Sequence, residues 1–375
     1  MSSFIPVCTP LLDGNEAKYV NEALSTGWIS SSGKYVTDFE KVFAEYCGVR
    51  HGIAVCNGTV ALHLAIVALG IGAGDEVIVP DFTMIASAYA VCYAGATPVF
   101  VDADAATWNV DVARLEACIT PRTKAIMPVH IFGNPCDMGA INALAKQHGL
   151  AVLEDAAEAH GAEFQGKRAG GLSDLAGFSF FANKNVTTGE GGMVVTDNDA
   201  LATACRYYKN LCFPVDAPRT YMHEDIGFNY RMSNLHAAIG LAQTERADAY
   251  VALRIRNGLL YRKYLSEIPG ISLQVDQRGG KNVFWMNGIC VRPEEYGRTR
   301  EALVAHLLEK SIDTRLFFNG MHRQPALKKF GCDCGGNYPV SDRLADNGFY
   351  LPSGSGLTKG EIERICAVVA KFARH

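Results

Sequence analysis

The stretch FSFFANKNVTTGEGGMVV, residues 178–195, contains one lysine, Lys184, between two apolar runs. The runs 178–181 and 193–195 predict two short buried strands, so the lysine lies in a polar loop at a strand end. Loops on a rigid scaffold often carry chemistry, but an average lysine is a solvated surface charge. A functional role for Lys184 therefore needs support from other parts of the chain.

The glycine-rich segment after this lysine, residues 188–192, has a simple structural interpretation. Glycine reaches positive φ without a steric penalty, so such a segment most often only reverses the chain. It does not match a nucleotide-binding phosphate loop, because in that motif the lysine follows the glycines. We therefore expect a turn between the two strands.

Apolar runs and helical stretches alternate along much of the chain. Strands are predicted at 77–79, 98–101, 125–129 and 151–153. Asp13 and Glu16 have the spacing of a capping box, which predicts a helix that ends at Gly27. The alternation predicts an α/β fold with a mostly parallel sheet covered by helices on both faces.

The pattern changes after about residue 245. A helix over 243–265, strands near 283–291, a helix near 298–310 and a terminal helix from Thr358 predict a smaller C-terminal α/β domain. We expect a large domain over residues 1–245, which includes the N-terminal segment, and a small domain over residues 246–375.

Composition argues against several classes of protein. The net charge is -4 and there is no long run of Lys or Arg, so we expect no nucleic-acid partner. The 12 cysteines are scattered without CxxC pairs, which indicates reduced thiols and no metal site. We find no secretion signal and no apolar run long enough to cross a membrane, so we expect no membrane association and a cytoplasmic protein.

Three polar groups follow predicted strands, and ligands of such sheets bind at the carboxyl ends of strands. Asn57, Gly58 and Thr59 precede the apolar helix VALHLAIVAL, whose N-terminus is either a phosphate site or simply capped by Asn57 or Thr59. Ser179, in the strand before the lysine loop, either donates to a phosphate or satisfies the backbone.

The third group is a carboxylate. Asp155 ends the strand LAVLED, and Glu158 follows three residues later. An Asp at a strand end either caps the next helix or holds a buried cation such as a protonated ring nitrogen. A phosphate site, a strand-end carboxylate and a loop lysine are together the parts that hold pyridoxal phosphate, with Lys184 bonded to its aldehyde.

Several stretches, in this order along the chain, resemble the nucleotide-sugar aminotransferases of the DegT/StrS family. They are GWIS (27–30), CNGTVALHLA (56–65), VHIFGNPCDM (129–138), EDAAEAHGA (154–162), SFFANKNVTTGEGG (179–192), GFNYRMSNLHAAIG (227–240) and LPSGSGLT (351–358). The resemblance covers essentially the whole chain. It implies the aspartate aminotransferase fold, fold type I.

The resemblance implies a role in cofactor binding for each matching residue. Gly58, Thr59 and Ser179 would bind the phosphate of pyridoxal phosphate. Asp155 would hold the pyridine nitrogen, and Glu158 would lie on the ring-hydroxyl side.

The resemblance also implies covalent bonding to the cofactor and a shared site. Lys184 would be the Schiff-base lysine and the proton shuttle. Asn229, in GFNYR, would reach the phosphate bound by the neighbouring subunit, which implies a homodimer with shared active sites. Met84, in PDFTMIAS, stands where the family usually has an aromatic residue that stacks on the cofactor ring.

Five residues are candidates for binding the nucleotide sugar: Trp28, Ser30, Ser31, Arg231 and His322. Packing is the alternative interpretation for the tryptophan and the histidine, and NGMH replaces the usual HPMH around the histidine. A further arginine, Arg315, is a candidate for the substrate's diphosphate. Surface charge is the alternative for both arginines.

The implied reaction moves the amino group of L-glutamate to C4 of a nucleotide-linked 4-keto-6-deoxyhexose, with GDP-4-keto-6-deoxy-D-mannose as the expected acceptor. A UDP- or dTDP-linked 4-keto or 3-keto sugar is the alternative acceptor. A sugar dehydratase is disfavoured because those relatives replace the lysine by histidine. A lyase would need a nucleophilic cysteine such as Cys332 or Cys334, and a non-enzymatic regulator would lack the cofactor. The expected pathway is O-antigen and lipopolysaccharide biosynthesis.

Overall fold

The computed structural model describes residues 4–215 and 217–373. The helices in these ranges are α1 (Glu16–Thr26), α2 (Lys34–Cys47), α3 (Gly58–Ala68), α4 (Ala86–Tyr93), α5 (Val112–Leu115), α6 (Met138–His148), α7 (Asp199–Tyr208), α8 (Asn234–Thr244), α9 (Ala247–Leu265), α10 (Pro293–Tyr296), α11 (Arg300–Glu309), α12 (Pro325–Phe330), α13 (Pro339–Asn347) and α14 (Lys359–Phe372). The strands are β1 (His51–Val55), β2 (Glu76–Pro80), β3 (Thr97–Val101), β4 (Thr123–Ile126), β5 (Ala151–Asp155), β6 (Glu163–Phe164), β7 (Lys167–Arg168), β8 (Leu175–Ser179), β9 (Gly192–Thr196), β10 (Ile271–Leu273), β11 (Gly280–Lys281), β12 (Asn287–Val291), β13 (Arg315–Leu316) and β14 (Gly348–Leu351).

A seven-stranded sheet with the order β1-β9-β8-β5-β4-β2-β3 forms the centre of the molecule. The pairs from β3 through β2, β4 and β5 to β8 are parallel. Strand β9 is antiparallel to both of its neighbours, β8 and β1. The predicted mostly parallel sheet is confirmed, and the carboxyl ends of β1, β5 and β8 lie at one edge.

Alternate strand residues bury on opposite faces of this sheet, as the two-residue period of a strand requires. Ala54 and Met193 pack with α1, α2, α6 and α8 on one face. Ile53 and Val194 pack with α3 and α7 on the other. Both faces are therefore covered, which confirms the predicted α/β class.

A second, antiparallel sheet with the order β10-β12-β14-β13 forms in the C-terminal part. Its core joins Ile289 and Phe349 to Ile362 of α14. Ile5 lies in the same core and bridges to Ile312, so the N-terminal segment reaches this sheet. The division of the chain at residue 245 stays a prediction.

Two predicted helix features are wrong. Helix α1 begins after Asn15 and has no side-chain cap, because the Asp13 carboxylate instead accepts the Tyr250 hydroxyl at 2.8 Å. The C-cap at Gly27, with φ of 75°, is confirmed. The helix predicted over 243–265 is interrupted between α8 and α9, which end at Thr244 and begin at Ala247.

Three predicted strand boundaries are also wrong. Strand β8 ends at Ser179, and Phe181 is 47% exposed instead of buried. Strand β4 ends at Ile126, since Pro128 has no N–H to continue the ladder. Strand β12 begins at Asn287 and not near 283, because Phe284 has a left-handed backbone with φ of 50°.

No helix within residues 4–215 and 217–373 is long and apolar enough to cross a membrane. The same residues contain no group of three or more His, Cys, Asp or Glu side chains that could hold a metal ion.

Candidate active site

The phosphate region is built at the start of α3, directly after β1. The Asn57 side chain accepts the Val60 N–H at 3.0 Å, and its carbonyl accepts the Ala61 N–H at 3.2 Å. The predicted cap by Asn57 is therefore present, and the N–H groups of Gly58 and Thr59 in the first turn have no intrahelical acceptor. Asn57 can therefore cap the helix while the free N–H groups of Gly58 and Thr59 remain available to bind an anion.

Glycines allow the lysine segment to approach this helix start closely. A Cβ atom at Gly58 would lie 2.6 Å from Cβ of Ser179. A Cβ atom at Gly192 would lie 2.3 Å from the Asn57 carbonyl oxygen. Glycine is thus required at position 192 by close packing. Within residues 188–192, only Gly189 has the positive φ expected of a turn glycine, at 82°.

Lys184 lies partly buried in the loop between β8 and β9. Its backbone N–H donates to the Phe181 carbonyl at 2.9 Å. Its Nζ lies 3.8 Å from the centroid of the Trp285 ring, and the Trp285 Nε1–H donates to the Asn183 carbonyl at 2.9 Å. The indole therefore contacts the amine and also fixes the residue before it.

Asp155 lies at the end of β5 and is buried. Its Oδ2 accepts the Ser87 hydroxyl at 2.7 Å, and its Oδ1 accepts the Ala157 N–H at 3.2 Å. Burial raises the pKa of Asp155, while these hydrogen bonds and Lys184 oppose the shift. A buried carboxylate of this kind suits a cationic partner.

Glu158 is buried beside Asp155 and Lys184. Its Oε2 accepts the Phe132 N–H at 2.7 Å, and Phe132 has a left-handed backbone with φ of 57°. Burial raises the pKa of Glu158 to about 7, the nearby Asp155 carboxyl adds to the shift, and Lys184 opposes it. Burial raises the pKa of both carboxyls, so the expectation that one of them holds its proton because they share a site stays a prediction.

The Lys184 amine is biased towards its neutral form. Burial lowers the pKa of Lys184, and the carboxyl groups of Glu158 and Asp155 only partly offset that effect. A neutral amine is the form that attacks a carbonyl group. The loop lysine therefore has the environment of a nucleophile and not that of a surface charge.

Met84 begins the turn that leads to Ser87. Its side chain is 47% exposed, and its Sδ accepts the Ala86 N–H at 3.1 Å. Its carbonyl accepts the Ser87 N–H at 3.2 Å, so the segment that binds Asp155 also carries Met84. Its contact with the cofactor ring stays a prediction.

The loop with Trp28, Ser30 and Ser31 is held by Asn234, the first residue of α8. The Asn234 side chain donates to the Trp28 carbonyl at 2.6 Å, and its backbone N–H donates to the Ser30 carbonyl at 2.6 Å. A Cβ atom at Gly33 would overlap the same side chain at 2.4 Å. Trp28 remains 59% exposed, so packing does not account for its ring.

Arg231 and Ser31 line one open polar cleft of about 450 Å³. The guanidinium of Arg231 donates to Asn210 at 2.6 Å. Asn229 is exposed, and its backbone pairs with that of Asn210 beside this cleft. Arg315 does not line this cleft: it is exposed on β13, where it forms an ion pair with Asp313 and lies opposite Tyr350 of β14. Its role at the diphosphate stays a prediction.

His322 has a carboxylate at each ring nitrogen. Its Nδ1 lies 2.9 Å from Oδ2 of Asp81, and its Nε2 lies 3.1 Å from Oδ1 of Asp342. The ring stacks on Tyr338 at 4.7 Å. In this arrangement both nitrogens are engaged, so a role at the nucleotide sugar stays a prediction.

The two cysteines that a lyase mechanism would use lie in an unfavourable environment. Burial raises the pKa of Cys332 and of Cys334, which disfavours the thiolate that such a mechanism would need.

Comparisons with known proteins decide the family. The profile of the DegT/DnrJ/EryC1/StrS aminotransferase family matches residues 10–370. The chain belongs to this family. It is 47% identical over 371 residues to a GDP-perosamine synthase of Caulobacter vibrioides, with 97% of each chain covered. It is 44% identical over 370 residues to a GDP-perosamine synthase of Escherichia coli O157:H7, with 98% of each chain covered.

Solved structures agree with this assignment. A crystal structure of DesV from S. venezuelae in complex with a ketimine intermediate matches with a TM-score of 0.90 at 35% identity, covering 96% of this chain and 95% of that one. The predicted fold type I aminotransferase fold is confirmed. As a member of the DegT/DnrJ/EryC1/StrS family, the protein is an aminotransferase with pyridoxal phosphate as its cofactor.

The residues present fit this cofactor. The free N–H groups at the start of α3, beginning at Gly58, and the Ser179 hydroxyl lie close together as donors for a phosphate. The buried Asp155 carboxylate suits a protonated ring nitrogen, and Lys184 suits an aldehyde. Donors, carboxylate and amine lie at one edge of one sheet, as the cofactor requires.

Three residues that hold the site were not predicted to do so: Ser87, Asn234 and Trp285. Asn234 lies in the stretch 227–240 that carries the resemblance, but Ser87 and Asn234 are small polar residues near helix starts, where capping is the ordinary expectation. Trp285 lies 102 residues beyond the carbonyl that it binds. Only the spacing of Ser87 after Met84, at the end of a buried strand, offers a local hint.

Proposed function

We propose that the protein transfers the amino group of L-glutamate to C4 of GDP-4-keto-6-deoxy-D-mannose and so produces GDP-perosamine and 2-oxoglutarate. The observation that carries this proposal is the identity of 47% to a protein named GDP-perosamine synthase over nearly the whole of both chains. We also propose that the product serves O-antigen and lipopolysaccharide biosynthesis in the cytoplasm. The 12 cysteines, all unpaired, agree with a reducing compartment.

We propose the following roles around the cofactor. When bound, pyridoxal phosphate supplies an aldehyde that takes up nitrogen and a ring that accepts electrons. Gly58, Thr59 and Ser179 hold its phosphate. Asp155 keeps a proton on the ring nitrogen through the carboxylate that Ser87 orients.

Lys184 and Glu158 would handle protons next to the reacting carbon. With the cofactor bound, the Lys184 amine would move a proton at the α-carbon of glutamate and, in the reverse direction, at C4 of the keto sugar. Glu158, whose pKa burial raises to about 7, would lie on the side of the ring hydroxyl and would exchange a proton with it near neutral pH.

The substrate's diphosphate needs local cations, because the chain as a whole has a net charge of -4. The polar cleft with Ser31 and Arg231 also contains Arg206 and Arg219. Lys209 in the same cleft is already paired with Glu40 at 2.7 Å. We propose that these arginines bind the diphosphate and that the Asn234-held loop with Trp28 and Ser30 lies along the nucleotide.

We propose a homodimer in which Asn229 completes the phosphate site of the other subunit. In support, Asn229 is exposed and borders a segment with exposed apolar side chains, among them Tyr221 and Met222 at 83% each and Ile226 at 91%. Co-expressed Lys184→Ala and Asn229→Ala chains, both of low activity alone, should regain activity in mixed dimers. A monomeric active protein, or mixed dimers without activity, would exclude shared sites.

We also propose the division into a large domain, residues 1–245, and a small domain, residues 246–375. The separate core of the C-terminal sheet supports it. Limited proteolysis should then cut near residues 245–246, in the short break before α9.

The acceptor is tested with three nucleotide sugars and L-glutamate. We expect kcat/KM to be highest for GDP-4-keto-6-deoxy-D-mannose, with 2-oxoglutarate released in equal amount, and the Lys184→Ala variant serves as the inactive control. A preference for a UDP- or dTDP-linked keto sugar would overturn the GDP assignment and leave the aminotransferase chemistry intact. Inactivity with all three would overturn the proposal as a whole.

A further inference from the structure

Arg254 of α9 is a buried cation behind the lysine loop. It is 2% exposed and is the largest of the fully buried side chains. All three guanidinium nitrogens donate to hydroxyl, carbonyl or sulfur acceptors. These acceptors are Ser355 Oγ at 3.0 Å, the Trp285 carbonyl at 2.8 Å, the Ser353 carbonyl, Cys8 Sγ at 3.3 Å and the Asn183 carbonyl at 3.3 Å.

Among the residues that the structure describes, this charge has no direct ion-pair partner. Within residues 4–215 and 217–373, no carboxylate forms an ion pair with Arg254. Burying a charge is unfavourable even when its donors are satisfied, and an apolar side chain of similar size is often as stable. Arginine also keeps its proton in proteins, so the site is permanently positive. Packing alone does not explain such a residue.

Two of the acceptors connect Arg254 to the amine of Lys184. The Asn183 carbonyl belongs to the residue before the lysine, and it also accepts the Trp285 Nε1–H at 2.9 Å. The Trp285 carbonyl accepts from the same guanidinium, and the Trp285 ring lies 3.8 Å from Nζ of Lys184. One arginine therefore fixes both the loop and the indole that contacts the amine.

We propose that Arg254 is a positioning residue for Lys184: it holds the lysine loop against the Trp285 indole and places behind the amine a positive charge that has no ion-pair partner among the described residues. The proposal rests on the proposed role of Lys184 as the lysine that bonds to the cofactor. It assigns a function to a residue of α9 that touches neither cofactor nor substrate in the proposed site.

The charges around Lys184 support this role. Burial lowers the pKa of the amine most, Glu158 and Asp155 raise it, Arg254 lowers it, and Cys8 raises it slightly. His160 adds no positive charge, because burial and the nearby lysine lower its pKa to about 3. Arg254 is thus the cation whose effect on the Lys184 pKa opposes that of the two carboxyl groups.

The test measures the ionisation of Lys184 in the full-length chain after removal of the cofactor. Trace labelling with acetic anhydride over a pH series, read by peptide mass spectrometry, gives the midpoint for each lysine. Lys41, whose side chain is 74% exposed, serves as the internal reference. The variants are Arg254→Gln and Arg254→Met, which remove the charge, and Arg254→Lys, which keeps it.

We expect the Lys184 midpoint to rise by about one pKa unit in both neutral variants, which is roughly a tenfold loss of neutral amine at fixed pH below the midpoint. Arg254→Lys should stay close to the wild type. The Met variant keeps the test decisive if the Gln variant does not fold, since an apolar replacement of a buried charge is often tolerated. An unchanged midpoint in a folded neutral variant would overturn the proposal, and so would an equal rise in Arg254→Lys.

This outcome is separate from that of the proposed function. The labelling midpoint is measured without cofactor or substrate, so an inactive protein can still give the expected shift. Borohydride labelling of the loaded protein decides independently whether Lys184 bonds to the cofactor.

Discussion

The contact between Gly58 and Ser179 makes the phosphate site sensitive to a single methyl group. In Gly58→Ala the added Cβ would lie 2.6 Å from the Ser179 Cβ and 3.1 Å from its Cα. Gly58 is the first residue of α3, where alanine suits the helical backbone, so only the lack of space opposes the change. The substitution therefore tests packing at the helix start without backbone strain.

The size of the effect follows from ordinary contact distances. Carbon atoms pack best at about 3.5–4.0 Å, so the helix start and Ser179 must separate by roughly 1 Å. Overpacking of this kind destabilises by about 1–3 kcal/mol. The separation also removes one donor from a charged phosphate, a loss of about 1.5–3 kcal/mol or roughly 10- to 150-fold in affinity.

The assay is an absorbance titration of the cofactor-free protein with pyridoxal phosphate. Gly58→Ala should raise Kd by roughly 10- to 150-fold, and Ser179→Gly should raise it over the same range through loss of the hydroxyl. The double variant should match Ser179→Gly alone, because the clashing Cβ is gone. Gly360→Ala in α14 is the matched control, since nothing lies within 4 Å of its added Cβ.

Two results would refute this reasoning. An unchanged Kd in Gly58→Ala would show that the helix start does not bind the phosphate. A double variant whose Kd is the product of the two single effects would show that Ser179 is not the group that the new methyl displaces.

The other predictions concern the lysine, the carboxylates and the exposed methionine. Borohydride should fix the cofactor on Lys184, as seen by peptide mass spectrometry, and recovery of the label from another lysine would exclude that role. Burial raises the pKa of Glu158 from 4.5 to about 7 in the folded cofactor-free protein. Between these two pH values the folded protein keeps a proton on Glu158 that the unfolded chain has lost, so the free energy of unfolding falls as the pH rises from about 4.5 to about 7. Glutamine cannot ionise, so the melting temperature of Glu158→Gln should exceed that of the wild type by an amount that grows between about pH 4.5 and about pH 7 and then levels off. A difference in melting temperature that does not change with pH would contradict the raised pKa. Ser87→Ala should weaken cofactor binding by about tenfold through loss of the hydroxyl donated to Asp155 at 2.7 Å, whereas Ser87→Thr, which keeps the hydroxyl, should bind like the wild type. Met84→Phe should keep cofactor affinity within a few-fold of the wild type, because sulfur and ring contacts both contribute about 0.3–1.5 kcal/mol; complete loss of binding would place Met84 outside the site.

The sequence determined the parts of the site that depend on where strands end. Alternation of apolar runs and helices predicts a mostly parallel sheet, and parallel strands bring their carboxyl ends to one edge. Asp155 could therefore be assigned to this edge from the sequence, because it ends a strand of that sheet, and Ser179 could be assigned to the strand that leads to the lysine loop. Asn57 could be predicted as a cap, because its side chain acts on an N–H only three residues away.

Predictions from local pattern failed where a distant group competed for the same atoms. Asp13 has the spacing of a capping box, but Tyr250 lies 237 residues away in sequence and donates to its carboxylate. The strand that should include Phe181 stops at Ser179, where the chain turns into the lysine loop. Local propensity sets the approximate extent of an element, whereas tertiary contacts set its ends.

Only the tertiary structure decided how the lysine is held and how its charge is set. Ser87 and Asp155 are 68 residues apart in sequence, and Asn183 is 71 residues from Arg254 and 102 from Trp285. Hydrogen bonds over such separations depend on the packing of whole elements and leave no periodic signal in the chain. The lowered pKa of Lys184 has the same origin. Its burial and the opposing effects of Glu158, Asp155 and Arg254 arise only when the elements that carry these residues pack together.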